Sequence, residues 1–301
     1  MSKEKSLVVV VGPTAVGKTS LAIRLAQHYG TSIVSADSRQ FYRQLTIGTA
    51  KPSAEERRQA PHYFIDSHSI EETYSAGDFE REALALLEKL FQTQDVVIVV
   101  GGSGLFIKAL CEGLDELPTA PKPIRDALNH RLVQDGLGPL QDYLKKIDPQ
   151  GYEQLDVENP QRVIRALEVF ESSGRPMSSF LKAETAKRPF KCITVGINRP
   201  REELYELINN RVDVMMDKGL LAEVEQLLPY RSKPALLTVG YKELFSYLDG
   251  DLSLVEAVAK IKQNSRRYAK RQITWFKKHG NTQWFAPTAF DHIIQWVDEQ
   301  L

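Results

Sequence analysis

The chain has 301 residues, of which 42% are hydrophobic, and its 39 basic side chains balance 39 acidic ones. This length and apolar content exclude wholesale disorder and allow one large core or two domains. A net charge of zero also argues, at first sight, against a nucleic-acid partner. No apolar run approaches the roughly 18 residues that span a bilayer, so we expect no membrane contact. Two cysteines exclude a disulfide framework and indicate a reducing cytoplasm.

The chain begins with the pattern of a strand, a glycine loop and a helix. Residues 7–11 are an uninterrupted apolar, mostly β-branched run, which is typical of a strand covered on both faces. The run stops at Gly12, after which apolar residues return at helical spacing until Gly30. A second short strand, residues 32–35, leads into Ala36 and Asp37.

The loop after the first strand matches a phosphate-binding motif. Its sequence, Gly12-Pro13-Thr14-Ala15-Val16-Gly17-Lys18-Thr19, fits G-x-x-x-x-G-K-[ST] in the required strand–helix context. Successive backbone N–H groups and the helix N-terminus would bind an anion. Lys18 would place a positive charge on the phosphates, and the Thr19 hydroxyl is positioned to bind Mg²⁺. The motif leaves open which phosphate compound is bound.

Further along, residues 75–91 have an amphipathic helical pattern, and residues 95–100 and 192–197 are two more buried strands. Strands that alternate with helices predict an α/β fold: a parallel sheet flanked by helices, with ligands at the carboxyl ends of the strands. After the fourth strand the chain is again helical to about Gly280.

A long segment with helical patterns separates the third and fourth strands. A proline-rich joint at residues 117–123 leads into helical patterns that continue to residue 182, with Asn159 and Pro160 as a helix start and Gly174 as its end. We therefore predict a phosphate-loop core of residues 1–119 and 189–301, with a helical C-terminal part, and a helical insertion domain of residues 120–188. Insertions of this length commonly cover a site.

The residues after the strands indicate group transfer. A nucleotide hydrolase would carry a Mg²⁺-binding acid after residues 95–100, but Gly101, Gly102 and Gly104 stand there without a carboxylate. The acid follows the second strand instead, at Asp37, where a general base would be needed, although a turn-capping role is also common for such a residue. The hydroxyl of Ser103 would contact a bridging or leaving oxygen, or serve the turn.

With these motifs in place, the chain resembles the bacterial tRNA dimethylallyltransferases, also called tRNA isopentenyltransferases. The resemblance rests on blocks that follow one another along almost the whole chain: residues 12–19, 35–40, 47–52, 60–62, 74–79, 101–106, 159–162, 239–241 and 269–276. It implies transfer of a dimethylallyl group from dimethylallyl diphosphate to N6 of adenosine 37, beside the anticodon of tRNA, with the base flipped into a channel.

The resemblance also implies roles for single residues. The phosphate loop, Lys18 and Arg211 would hold the donor's diphosphate together with Mg²⁺ at Thr19, and Asp37 would take the proton from N6. Ser103 stands where the family usually has Thr and keeps the hydroxyl for the bridging oxygen. The positions expected to contact the anticodon stem-loop are Asp37, Ser38, Arg39, Gln40, Ser103, Arg125, Gln161, Arg162, Val163, Ile164 and Arg165.

A basic segment near the C-terminus changes the meaning of the zero net charge. Residues 260–280 contain eight basic residues and no acidic one, with Tyr268, Trp275 and Phe276 between them. A solvated helix with inward aromatics would explain this pattern, but in a neutral protein it favours contact with phosphates. Arg162 and Arg165 lie in the first turns of a helix, where an external anion or Glu158 would offset their unfavourable interaction with the helix dipole.

Three other functions stay open: an adenylate isopentenyltransferase that uses free nucleotides, a small-molecule P-loop kinase and a non-catalytic RNA-binding module. The insertion and the basic segment disfavour the first, and the missing acid after residue 100 disfavours the second. Asp37 beside a complete phosphate loop disfavours the third. We expect a cytoplasmic enzyme that works as a monomer.

Overall fold

A computed structural model describes residues 4–181 and 186–301 of the chain. It divides into two compact units, one made of Met1–Glu112 with Lys187–Leu301 and the other of Gly113–Ala186. The sequence pattern places the two boundaries a few residues later, after residues 119 and 188.

The first unit is built on a parallel sheet. Its strands are β1 (Ser6–Val11), β2 (Ile33–Ser35), β3 (His62–Tyr63), β4 (Val96–Val100), β5 (Lys191–Ile197) and β6 (Thr282–Phe285). They lie in the order β3-β2-β4-β1-β5-β6, and every pairing is parallel. The predicted α/β fold and its four predicted strands are confirmed, whereas β3 and β6 were not predicted.

Thirteen helices occur in the described residues. They are α1 (Lys18–Tyr29), α2 (Ala54–Gln59), α3 (Ala76–Leu90), α4 (Gly104–Glu112), α5 (Lys122–Asp135), α6 (Gly138–Ile147), α7 (Pro149–Gln154), α8 (Pro160–Ser173), α9 (Arg201–Asp217), α10 (Leu220–Gln226), α11 (Tyr241–Leu248), α12 (Leu254–Lys278) and α13 (Phe290–Gln300). None of these helices combines the length and the apolar character that a bilayer crossing requires.

The centre of the sheet sets the position of the site. Every side chain of β1 is buried, because the strand pairs with β4 on one side and β5 on the other and helices cover both faces. In the register of the sheet, Val100 pairs with Val10 on one side and Ser35 on the other. The loops after β1, β2 and β4 therefore start at the same level of one edge, which is where open α/β sheets bind ligands.

The second unit has a core of its own. Helices α5 to α8 pack around buried leucines, among them Leu128, Leu140 and Leu144. Helix α8 begins as predicted: Asn159 Oδ1 accepts a hydrogen bond from Gln161 N at 3.1 Å, and proline occupies the first helical position. The helix ends at Gly174 in the left-handed conformation, with φ 71°.

Candidate active site

The phosphate loop lies between β1 and α1, as predicted. Gly12 has φ 149°, and an added Cβ would lie 2.4 Å from the carbonyl oxygen of Ile197, so a side chain there would clash with the neighbouring strand end. Gly17 has φ 109° and caps α1. The loop borders a cavity of about 1150 Å³. Backbone N–H groups and the start of a twelve-residue helix thus face a space that can hold an anion.

Two cations stand beside this loop. The Lys18 ammonium donates to the carbonyl oxygens of Gly12 and Pro13, at 2.9 and 2.7 Å. Burial, and then the positive charge of Arg211, lowers the pKa of Lys18 from 10.5 to about 7, against the opposing effect of Asp37. Burial also lowers the pKa of Arg211, whose Nη1 lies 3.4 Å from the Thr14 hydroxyl. Because both cations lack full compensation, an anion in the cavity would stabilise them.

Asp37 lines the same cavity from the loop after β2. Its Oδ1 accepts hydrogen bonds from the backbone N–H groups of Arg39 (2.9 Å) and Gln40 (3.3 Å), which is the turn-capping geometry. Its Oδ2 has no hydrogen-bond partner in the described part of the chain. One carboxylate oxygen therefore holds the loop, and the other is left for a ligand.

Ser103 joins the loops after β2 and β4. Its hydroxyl oxygen accepts a hydrogen bond from Ser38 N at 3.0 Å. The neighbouring Gln40 uses its side-chain amide within the protein, donating to the carbonyl oxygens of Thr49 (3.1 Å) and Ala50 (3.3 Å). The Arg39 guanidinium donates to the carbonyl oxygen of Ser38 at 2.7 Å. These predicted positions are therefore brought together at one edge of the sheet.

Two residues outside the predicted set shape the site. Gln272 of α12 is 5% exposed, and its side-chain amide bonds both to the phosphate loop and to the loop after β4. Glu223 of α10 accepts hydrogen bonds from the backbone N–H groups of residues 46–48 and from the Tyr241 hydroxyl at 2.8 Å. Both are polar side chains far along the chain from the loops that they hold. The sequence contains one signal for Gln272. It is a polar residue on the buried face of α12, which it shares with Ala269 and Phe276.

Residues suited to Mg²⁺ are few. The described residues contain no group of three or more histidine, cysteine or acidic side chains that could hold a metal ion. Thr19 lies in the first turn of α1, lines the cavity and has no side-chain hydrogen bond within the described residues. Because Mg²⁺ commonly binds through substrate phosphates and only one or two protein oxygens, this hydroxyl fits an ion that arrives with a phosphorylated ligand.

In the second unit, two of the predicted tRNA-contacting residues pair with one buried acid. Glu168 of α8 is 2% exposed and pairs with Arg125 at 3.2 Å and Arg165 at 3.4 Å. Arg125 also donates to Gln161 Oε1 at 3.0 Å. A carboxylate that is shielded from water needs such partners. The two half-exposed guanidinium groups are therefore held beside each other, and together with Glu168 they carry a net positive charge.

Three other predicted contacts in α8 differ in accessibility. Arg162 is exposed and pairs with Asp156 at 3.6 Å, not with Glu158. Val163 and Ile164 are fully buried in the core of this unit. Their side chains lie on the apolar face of the helix together with Leu167, so they are shielded in this structure, and contact with tRNA at these two positions stays a prediction.

The basic segment covers most of α12, from Lys260 to the end of the helix at Lys278. Several of its cations have partners: Lys262 pairs with Asp213 at 2.6 Å, Arg266 donates to Asn209 Oδ1 at 2.6 Å, and Arg267 donates to Asn264 Oδ1 at 3.4 Å. Lys270, Lys277 and Lys278 are exposed and form no ion pair with another described residue. This helix therefore presents uncompensated positive charge at its surface while its opposite face supports the site.

Comparison with known proteins gives consistent matches. The family model for IPP transferase matches residues 40–279. A tRNA dimethylallyltransferase of Cytophaga hutchinsonii is 50% identical over 99% of this chain and 98% of its own length, and one of Flavobacterium johnsoniae is 48% identical with the same coverage. The crystal structure of a Bacillus halodurans tRNA isopentenylpyrophosphate transferase is 37% identical, with a TM-score of 0.71 over 99% of this chain and 95% of that one. A eukaryotic dimethylallyltransferase acting on tRNA is 26% identical, with a TM-score of 0.79 over 97% of this chain and 75% of that one.

These matches extend over nearly the whole chain and include solved structures of the same fold. They confirm the resemblance, the parallel α/β architecture and the predicted class of enzyme, a prenyl-group transferase. The chain therefore belongs to the IPP transferase family, to which the tRNA dimethylallyltransferases belong.

Proposed function

We propose that this enzyme transfers a dimethylallyl group from dimethylallyl diphosphate to N6 of adenosine 37 in the anticodon loop of tRNA. The supporting observation is the position of Lys18, Arg211 and Asp37 around one cavity. Two cations suit a diphosphate, and a carboxylate with one unbonded oxygen suits an amine that must lose a proton. The names of the relatives provide the substrate class.

The donor's diphosphate would lie on the phosphate loop. The loop N–H groups, Lys18 and Arg211 would bind its oxygens, and the Thr19 hydroxyl would hold Mg²⁺ together with them. The ion would supply positive charge that stabilises the leaving diphosphate. Lys18 would exchange its bonds to the Gly12 and Pro13 carbonyl oxygens for bonds to phosphate.

In the transfer step, the bond between the allylic C1 and the bridging oxygen breaks, and its electron pair leaves with the diphosphate. The adenine N6 forms the new bond to C1, and its proton passes to the free oxygen of Asp37. Ser103 would donate a hydrogen bond to the bridging oxygen. The adenine must leave its stack to reach the sheet edge, as enzymes that modify bases require.

The tRNA would contact both units. In the second unit Arg125, Gln161, Arg162 and Arg165 would bind the anticodon stem-loop, and in the first unit residues 37–40 and Ser103 would contact the target nucleotide. The exposed cations of α12 would bind phosphates. A cytoplasmic location and a monomeric state stay predictions.

A label-transfer assay tests this function. The protein is incubated with Mg²⁺ and radiolabelled dimethylallyl diphosphate, and with either unmodified tRNA or AMP as acceptor. We expect label on the tRNA, and on N6 of adenosine 37 after digestion. Label on AMP alone would identify an adenylate isopentenyltransferase. ATP consumption with a small acceptor, and no prenyl transfer, would identify a kinase.

Arg162 offers a clean test of the second unit's contact with tRNA. We expect Arg162→Gln to weaken tRNA binding about fivefold or more and to reduce the salt dependence of binding by about one counterion, with donor binding unchanged. The thermal stability should change little, because both side chains of the Arg162–Asp156 pair are exposed to solvent. Filter binding at several salt concentrations measures the effect.

Arg131 of α5 is the matched control for this variant. Its side chain is 43% exposed, against 51% for Arg162, and it too has one distant acidic partner, Glu171. Arg131→Gln should leave tRNA binding within about twofold, because Arg131 is not among the positions expected to contact tRNA. Equal losses in the two variants would show a general effect of charge and contradict a specific contact at Arg162.

A further inference from the structure

Gln272 stands out because a buried side chain joins two loops that are distant in sequence. Its Oε1 accepts a hydrogen bond from Thr14 N at 2.8 Å, and its Nε2 donates to the carbonyl oxygen of Gly102 at 3.0 Å. A backbone N–H can only donate and a carbonyl can only accept, so the two contacts determine which end of the amide is oxygen. Only an uncharged side chain that both accepts and donates satisfies this pair.

The glycines around Ser103 are explained by the same helix. A Cβ added at Gly102 would lie 2.2 Å from Gln272 Nε2, and one added at Gly104 would lie 2.1 Å from Trp275 Nε1. The two residues of α12 therefore pack directly against the backbone on either side of Ser103. The glycines admit these two side chains at this distance, and a Cβ at either position would force Gln272 or Trp275 to move.

Charge also matters at this position. The site of the added Cβ at Gly102 lies 3.7 Å from Lys18 Nζ, so the Gln272 amide and the Lys18 ammonium both approach this glycine. A carboxylate in place of the amide would repel the Gly102 carbonyl oxygen and would pair with Lys18. The neutral amide leaves the charge of Lys18 for an anionic ligand.

We propose that Gln272 is a positioning residue of the transfer reaction: its side-chain amide holds the phosphate loop against the loop that carries Ser103. The donor's diphosphate and its bridging oxygen are bound by these two loops, so their separation sets the alignment of the scissile bond. This inference rests on the proposed function, because it assigns the diphosphate to the phosphate loop. Small displacements of such groups are costly in rate.

Two substitutions separate positioning from space-filling. Gln272→Glu has the same shape and keeps the acceptor for Thr14 N but loses the donor to Gly102, and Gln272→Met loses both. We expect each to lower the single-turnover rate by about 10- to 100-fold. We expect each to weaken binding of a donor analogue, with sulfur in place of the bridging oxygen, by about fivefold or more. Gln92→Glu, an exposed position just after α3 and outside both the site and the basic segment, is the control and should match the parent protein.

Binding of tRNA distinguishes a positioning role from a merely structural one. If the substitutions only loosened α12, tRNA binding would weaken as well. The unpaired cations Lys270, Lys277 and Lys278 are exposed on other faces of α12, so tRNA affinity should stay within about twofold in both variants. The proposal is overturned if both variants keep the parent's rate and donor affinity. It is also overturned if tRNA and donor affinity fall by the same factor, since that would indicate a loosened helix.

A direct measurement covers the case in which the variants do not fold. Hydrogen exchange at the Thr14 amide, followed by NMR in the unsubstituted protein without donor, should be slow, because this N–H is bonded to a buried side chain. Exchange as fast as at exposed loop amides would overturn the proposal. If the unsubstituted protein binds no donor analogue, the proposed function fails instead, which is a distinguishable result.

Discussion

Replacing Asp37 with asparagine should lower the single-turnover rate of prenyl transfer by about 10²- to 10⁴-fold, the usual contribution of a general base. Donor binding should stay within about threefold, because an asparagine carbonyl still accepts the hydrogen bonds from Arg39 N and Gln40 N that hold the loop. The amide cannot take the proton from N6. The rate is measured with saturating tRNA and labelled donor, and binding with the sulfur-bridged analogue.

Two comparisons sharpen this prediction. Asp37→Ala removes the loop-holding oxygen as well as the base, so it should lose donor affinity in addition to rate. Glu56→Gln is the matched control, since Glu56 is another acid that lines the cavity and its shape is kept. Near-normal turnover in Asp37→Asn would show that another group takes the proton. Equal losses of rate in Asp37→Asn and Glu56→Gln would show that the negative charge of the cavity as a whole, and not one general base, supports the reaction.

The sequence predicts those parts of the fold that are determined by residues close to one another in the chain. Strands β1 and β4 contain apolar runs of five residues, each followed by glycine, and α8 has a recognisable cap and stop. Strand β3 has only two half-buried residues, and β6 has no buried side chain. Their strand conformation depends on pairing with β2 and β5, and no local pattern encodes such pairing.

The same distinction applies to the site. Lys18, Asp37 and Ser103 follow strand ends, so topology alone brings them to one edge. Gln272 and Glu223 lie far from those loops in sequence, and only the folded chain shows what they hold. The resemblance places Val163 and Ile164 among the tRNA contacts, whereas the spacing of Val163 and Leu167 on α8 indicates a packed face, which the structure shows.

Lys18→Met should weaken donor-analogue binding by about 10²-fold and lower the transfer rate by a similar factor, as expected when a charged group leaves a pocket built for an anion. In the site without donor, burial and the charge of Arg211 lower the pKa of Lys18 to about 7. The charged form is therefore costly there, and the diphosphate compensates it. Lys218→Met, at the exposed rim of the same cavity, is the control and should have little effect.

The thermal stability of Lys18→Met should not fall together with its donor binding and transfer rate. The pKa of Lys18 is lower in the folded chain, about 7, than the ordinary value of 10.5 that applies to the unfolded chain. Between these values the unfolded state binds the additional proton, so burial of this lysine costs stability, and methionine removes that cost. At pH 8 and without donor, the unfolding temperature of Lys18→Met should be no lower than that of the parent protein. A clear drop in unfolding temperature would mean that Lys18 mainly serves the loop through Gly12 and Pro13, and weaker donor binding would then be a consequence of a distorted loop.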